Sequence, residues 1–227
     1  MFKTIRQYNS YTSKKVTIAA YVLFPIAVFI LLATVSFFSR KTDVFETLIT
    51  TISLMVSIWA CIVVCLEDRF NFGAFLSDKS RLSEMAKTSP KGVGMTKNII
   101  FLDIFSRLFL IILSSLGIAV SGFIGNQDKK IMILLMFILF VLSSHTTTSL
   151  LVWICRMIEN QTISTLIYSF GILLFLPTTV LFILPEELFP PFIYTGTIIV
   201  NLILDVIINA AGMYLLNRFI KREWYND

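Results

Sequence analysis

Apolar residues are gathered into six long stretches, at about 16–38, 44–66, 99–124, 131–155, 163–184 and 193–219, separated by short polar or proline-containing breaks. Each stretch reaches the roughly 20 residues that a helix needs to cross the hydrocarbon of a bilayer. None shows the alternation of apolar and polar positions that marks a barrel strand, and backbone groups in lipid must be satisfied within the segment. The pattern therefore predicts an all-α integral membrane protein of six transmembrane helices, with the 227 residues forming a single transmembrane domain. The first stretch does not read as a signal peptide. It follows about fifteen polar residues, lacks a small-residue cleavage site, and ends in Phe37-Phe38-Ser39-Arg40.

The connections are unequal. Four are short, whereas the second runs from 67 to 98, and loops longer than about 12 residues usually carry a function. Within it, Ser77 is placed to cap a helix with Asp78 in its first turn, and Leu76, Leu82 and Met85 are spaced for one face. Thr88-Ser89-Pro90-Lys91-Gly92 ends that helix. The alternative is a helix lying in the lipid interface. Ahead of the first span, Phe2, Ile5, Tyr8 and Tyr11 recur every three residues among Lys3, Arg6, Lys14 and Lys15, which suits an N-terminal interfacial helix. The proline-rich, apolar segment from Leu184 to Phe192 reads as a piece that dips back toward the membrane.

Composition agrees with this picture. Hydrophobic residues make up 56% and charged residues 15% of the chain, against roughly 25% charged in an average soluble domain, and the mean hydropathy is +0.83. Six spans leave no length for a soluble catalytic domain. The net charge of +5 matters through its placement rather than its sum, so nucleic acid is not implied. With the N-terminus inside, 14 of the 19 Lys and Arg residues fall on the cytoplasmic side and four outside, with Arg107 within a span. The positive-inside rule then puts both termini in the cytoplasm of a multi-pass chain in the cell membrane. Trp224 and Tyr225 beside Lys221 and Arg222 suit an interfacial collar. Cys61, Cys65 and Cys155 show neither disulfide nor metal spacing.

Polar residues inside spans are costly in lipid, which makes each a functional candidate. Asn201, Asp205 and Asn209 recur at i, i+4 and i+8 on one face of the sixth stretch, and Gly212 continues it. That face lines a translocation path or forms a helix or subunit contact in which Asp205 meets a donor. Asp103 and Arg107 are spaced for a structural ion pair within the third stretch. Ser143 to Ser149 is an unbroken polar run in the fourth, and its hydroxyls can bond their own backbone. Within it lies His145, the one histidine of the chain, which reads either as a proton relay or as a neutral packing residue. Gly117, Ser121 and Gly125, and Thr50, Ser53, Ser57 and Cys61, mark close helix contacts, while Pro25 and Pro177 predict kinks.

Phosphate-loop, zinc-protease and nucleophile-elbow motifs are absent from the sequence. Glu186-Glu187 is not followed by a basic residue until Arg218, unlike the glutamate pair of intramembrane prenyl-protein proteases. No enzyme activity and no metal or other cofactor is expected in the chain itself. The order of N-terminal interfacial helix, six spans, a long second cytoplasmic loop and a dipping outer segment resembles the permease subunits of ABC-2 type exporters. Asp78-Lys79-Ser80, Glu84, Thr88-Ser89-Pro90 and Lys97 are similar to the pattern in small Gram-positive members. In size and lack of a large outer domain the chain is similar to the small permeases of the staphylococcal phenol-soluble modulin exporter, which moves amphipathic helical peptides. The resemblance implies a single permease domain whose coupling helix, with Ser77, Asp78, Lys79, Arg81, Leu82, Glu84 and Met85, docks on a soluble ABC ATPase subunit that binds ATP and Mg. It also implies pairing with a second permease, identical or related, in the lipid bilayer. The rival readings are an ATP-independent secondary transporter or channel using Asp205, His145 or Arg107, and a membrane assembly or immunity protein.

Overall fold

The computed structural model describes residues 92–125, 130–158, 160–171 and 191–223, with isolated positions between 23 and 34. The described residues form four helices and no strand: α1 (Gly92–Gly125), α2 (Lys130–Met157), α3 (Gln161–Gly171) and α4 (Pro191–Glu223). Two of them are long and apolar enough to cross a membrane, α2 over Leu134–Met157 and α4 over Ile193–Ile220. The first and second spans, the interfacial N-terminus, the coupling segment from Ser77 to Met85 and the outer segment up to Pro190 lie outside the described residues.

The sequence pattern puts 92–98 at the end of the cytoplasmic loop; these residues are instead the first two turns of α1. The reason is a stripe that continues below the apolar stretch. Val93, Thr96 and Ile100 sit at i, i+3 and i+7, Thr96 and Ile100 are buried, and Val93 packs against the cluster formed by Ile100, Trp153, Leu216 and Ile220. Asn98 and Gly94 face outward. At the other end of the described chain, Pro191 and Phe192 belong to α4 rather than to the outer segment. A proline at the first helical position sacrifices no hydrogen bond, because that N–H has no partner within the helix.

The turn between α2 and α3 is three residues long, and Asn160 makes it possible. Its Oδ1 accepts from the N–H groups of Thr162 at 2.9 Å and Ile163 at 3.3 Å, and its carbonyl accepts from Ser164 N at 3.0 Å. Two of the amides left open at the start of α3 are thereby satisfied. The hairpin is antiparallel, with Cys155 Sγ donating to the Ser164 carbonyl at 3.7 Å and Leu151 lying against Gly171.

α2 is the central element. It runs antiparallel to α1, with Ile100 near Trp153 and Ile111 near Val141. It runs parallel to α4, pairing Thr146 with Asn201, His145 with Asp205 and Ser149 with Asn209. A parallel pair requires the intervening chain to return along the bundle, and α3 sets out in that direction. The α2 apolar window is 61% buried and that of α4 only 6%. α4 thus touches the bundle along one narrow stripe, Tyr194, Gly212, Leu216 and Ile220, and turns Ile199, Val200, Ile203, Val206 and Ile207 outward.

Gly212 allows the closest approach on that stripe. A Cβ there would collide with the Trp153 ring, whereas a Cβ on Gly196 would meet nothing within 4 Å. Gly212→Val is expected to destabilise the bundle by about 1–3 kcal/mol through overpacking, while Gly196→Ala leaves it unchanged or better by up to about 1 kcal/mol. Thermal unfolding of the two purified variants in one detergent checks the contrast.

Candidate functional site

Two polar clusters occupy the junction of α1, α2 and α4. The first centres on Asp103. Arg156 Nη2 of α2 donates to Asp103 Oδ2 at 2.7 Å, and Arg107 Nη2, one turn along α1, lies 3.3 Å from the same oxygen. Both guanidinium side chains are almost fully buried, at 0% exposure for Arg156 and 3% for Arg107, with Asp103 at 15%. Charges this far from water persist when they are paired, since removing an ion from water costs several kcal/mol. Arg156 is the better engaged of the two cations: its guanidinium carbon also sits 5.1 Å over the centre of the Trp153 ring. Arg107 Nε and Nη1 make no hydrogen bond.

The second cluster centres on Asp205. His145 Nδ1 lies 2.8 Å from Asp205 Oδ1, and His145 Nε2 lies 3.2 Å from the Ile104 carbonyl of α1. The side chain of His145 is 2% exposed and that of Asp205 19%. Asn209, one turn on in α4, donates from Nδ2 to Asp205 Oδ1 at 3.2 Å and to the Asp205 carbonyl at 3.0 Å. Its amide orientation follows from Trp153, whose indole N–H can only donate and meets Asn209 Oδ1 at 3.3 Å. Asn209 Nδ2 also reaches Ser149 Oγ at 3.4 Å.

Trp153 joins the two clusters, since its ring face carries Arg156 and its edge bonds Asn209. The connected set runs from Asp103 through Arg156, Trp153, Asn209, Asp205 and His145 back to Ile104, the residue after Asp103. It touches three helices and closes on itself. The hydroxyls between are satisfied locally: Thr148 Oγ1 donates to the Ser144 and His145 carbonyls at 2.9 Å each. Thr146 Oγ1 donates to Leu142 O at 2.8 Å and across to Asn201 O at 3.3 Å. Such returns let a run of Ser and Thr sit inside an apolar helix.

The face of Asn201, Asp205 and Asn209 is turned to α2 of the same chain. Asn201 bonds the Thr197 carbonyl within α4 at 2.9 Å through its own amide, and its carbonyl meets Thr146. The carboxylate that no neighbour in sequence supplies to His145 comes from a residue 60 positions away. Arg156 and Trp153 are the site residues that the sequence does not single out, one a cation at the end of the fourth apolar stretch and the other within it. The available signal was helical spacing. His145, Ser149, Trp153 and Arg156 fall at i, i+4, i+8 and i+11, one face of α2.

No protein-family profile, curated protein or solved structure matches this chain. Its chemistry is read from these contacts. Among the described residues no group of three His, Cys, Asp or Glu side chains comes together to hold a metal. What the cluster provides is a set of charge-assisted contacts that fix three helices to one another, with one imidazole–carboxylate pair inside it.

Asp103→Asn removes the negative charge shared by two buried guanidinium groups and is expected to cost about 3–5 kcal/mol. Arg107→Met, which removes a cation whose other donors are unused, should change stability by no more than about 1 kcal/mol. Thermal melting of both variants in the same detergent tests the asymmetry. Equal losses would show that Arg107, not Arg156, carries the contact.

Proposed function

We propose that this chain is the membrane-spanning permease subunit of an ATP-driven exporter of the ABC-2 type. In this reading it crosses the cell membrane six times with both termini in the cytoplasm, and it pairs with a second permease. A separate soluble subunit binds and hydrolyses ATP, and the exported substrate is amphipathic, a peptide or lipid-like molecule. The chain itself carries out no hydrolysis.

The observation that supports this most is the length and anchoring of α1. It is one unbroken helix of 34 residues, about 50 Å at 1.5 Å rise per residue. It starts at Gly92, seven residues after Met85, the last residue assigned to coupling, and bears Asp103 and Ile104, two points bonded to α2. A displacement at its first turn is delivered along a stiff rod to the junction of α1, α2 and α4. ATP-driven closure of two ATPase subunits would move the Ser77–Met85 segments, tilt α1, and change how the α2–α4 pair is exposed. The polar contacts transmit this motion because they resist sliding, unlike an apolar face that packs equally well against lipid.

Purification of the tagged chain from its native membrane in mild detergent is expected to retain a soluble subunit with a phosphate-binding loop and ATPase activity. Substituting Leu82→Asp, Glu84→Lys and Met85→Asp together should abolish that association while leaving the chain in the membrane. A chain that purifies alone and without ATPase activity would favour an ion-coupled transporter instead.

A further inference from the structure

The contacts of His145 hold more information than its burial. Its Nε2 lies 3.2 Å from the carbonyl of Ile104, which can only accept, so a hydrogen bond there needs a hydrogen on Nε2. Its Nδ1 faces Asp205 Oδ1 at 2.8 Å. That oxygen already accepts from Asn209 Nδ2, and Asn209 cannot present its own oxygen there because Trp153 Nε1–H holds it. An imidazole with one hydrogen cannot serve two acceptors. We propose that His145 and Asp205 together form a proton-binding site, holding one proton more than a neutral ring and a carboxylate, on Nδ1 or on Oδ1, between α2 and α4.

The bond changes balance simply. With the proton present, the pair is either imidazolium against carboxylate or neutral ring against carboxylic acid, and both contacts of the ring are hydrogen bonds. When the proton leaves to water, one ring hydrogen remains for two acceptors. If it stays on Nε2, the Nδ1 lone pair confronts the Asp205 carboxylate and the α2–α4 joint loses a bond. If it moves to Nδ1, the Nε2 lone pair confronts the Ile104 carbonyl and the α1–α2 joint loses one. Release of one proton therefore weakens one helix joint, because a buried polar group facing its own kind loses its bond and gains repulsion.

Among the described residues few other charges compete for this role. From α4, Asp205 is the carboxylate in contact with the ring. On α1, Asp103 and Arg107 flank Ile104 at one and three residues and are engaged with each other. On α2, Arg156 is three turns away and bonded to Asp103. The α3 sequence carries no Asp, Glu, Lys, Arg or His. The inference does not depend on an ATPase partner, since it follows from the partners of one side chain.

His145 is the only histidine in the chain, so ¹⁵N-histidine labelling of the full protein in lipid bilayers gives one pair of ring signals. The expected result is either two protonated ring nitrogens, or one protonated nitrogen with an infrared carboxylic-acid band that vanishes in Asp205→Asn. Removing that proton with base should leave one ring hydrogen and no acid band. Hydrogen exchange should then rise at least about tenfold around Ile104 or around Asp205, the equivalent of losing one hydrogen bond to a charged group. A neutral ring beside an ionised Asp205 in the untreated protein overturns the proposal, and needs only the wild-type chain. Unchanged exchange at both places after the proton has left overturns the coupling to the joints.

Discussion

The bond between Arg156 and Asp103 sets the terms for the rest of the described structure. It draws a guanidinium from the end of α2 into the bundle, where Arg156 is fully buried at 2.7 Å from a carboxylate of α1. The long side chain then lies over Trp153, and the indole is held flat against α4 where Gly212 leaves room for it. The indole N–H orients Asn209, Asn209 orients Asp205, and Asp205 receives His145. Each contact places the next.

This matters because the apolar surfaces of these helices say little about register. A leucine-rich face packs about equally well against another helix or against a lipid tail, so burial alone would let α4 slide along α2. The pairs His145–Asp205 and Ser149–Asn209 are both 60 residues apart in sequence, and a shift of one turn would break both together. The same polar stripe explains the asymmetry between the two long apolar helices. α2 is contacted by α1, α3 and α4, while α4 commits a narrow stripe that includes Gly212, Leu216 and Ile220 to the bundle and leaves most of its apolar surface outside.

Mechanical stiffness and polar connectivity are complementary here. α1 can carry a displacement because it is continuous, and the junction can receive it because both ends of the polar set, Asp103 and Ile104, are neighbours on that helix. The proton proposed between His145 and Asp205 then gives the junction discrete arrangements instead of a continuum. Bistable elements of this kind are what convert a small local change into movement of whole helices.

Helical class, two of the apolar stretches as helices able to cross a membrane, and the periodic face Asn201, Asp205 and Asn209 were legible in the chain, because a 3.6-residue repeat and hydrocarbon thickness are local constraints. So was the spacing of Asp103 and Arg107, one turn apart. The two clusters as they stand were not legible. That Arg156 turns inward to Asp103, that Trp153 bridges the clusters, and that His145 finds its carboxylate in a helix 60 residues away are decided by which helices become neighbours. The same holds for the start of α1 at Gly92, where packing of Val93 and Thr96 overrode a loop-like composition. Sequence periodicity shows which face of a helix is polar; only the tertiary arrangement supplies what that face meets, since contact across helices carries no fixed spacing along the chain.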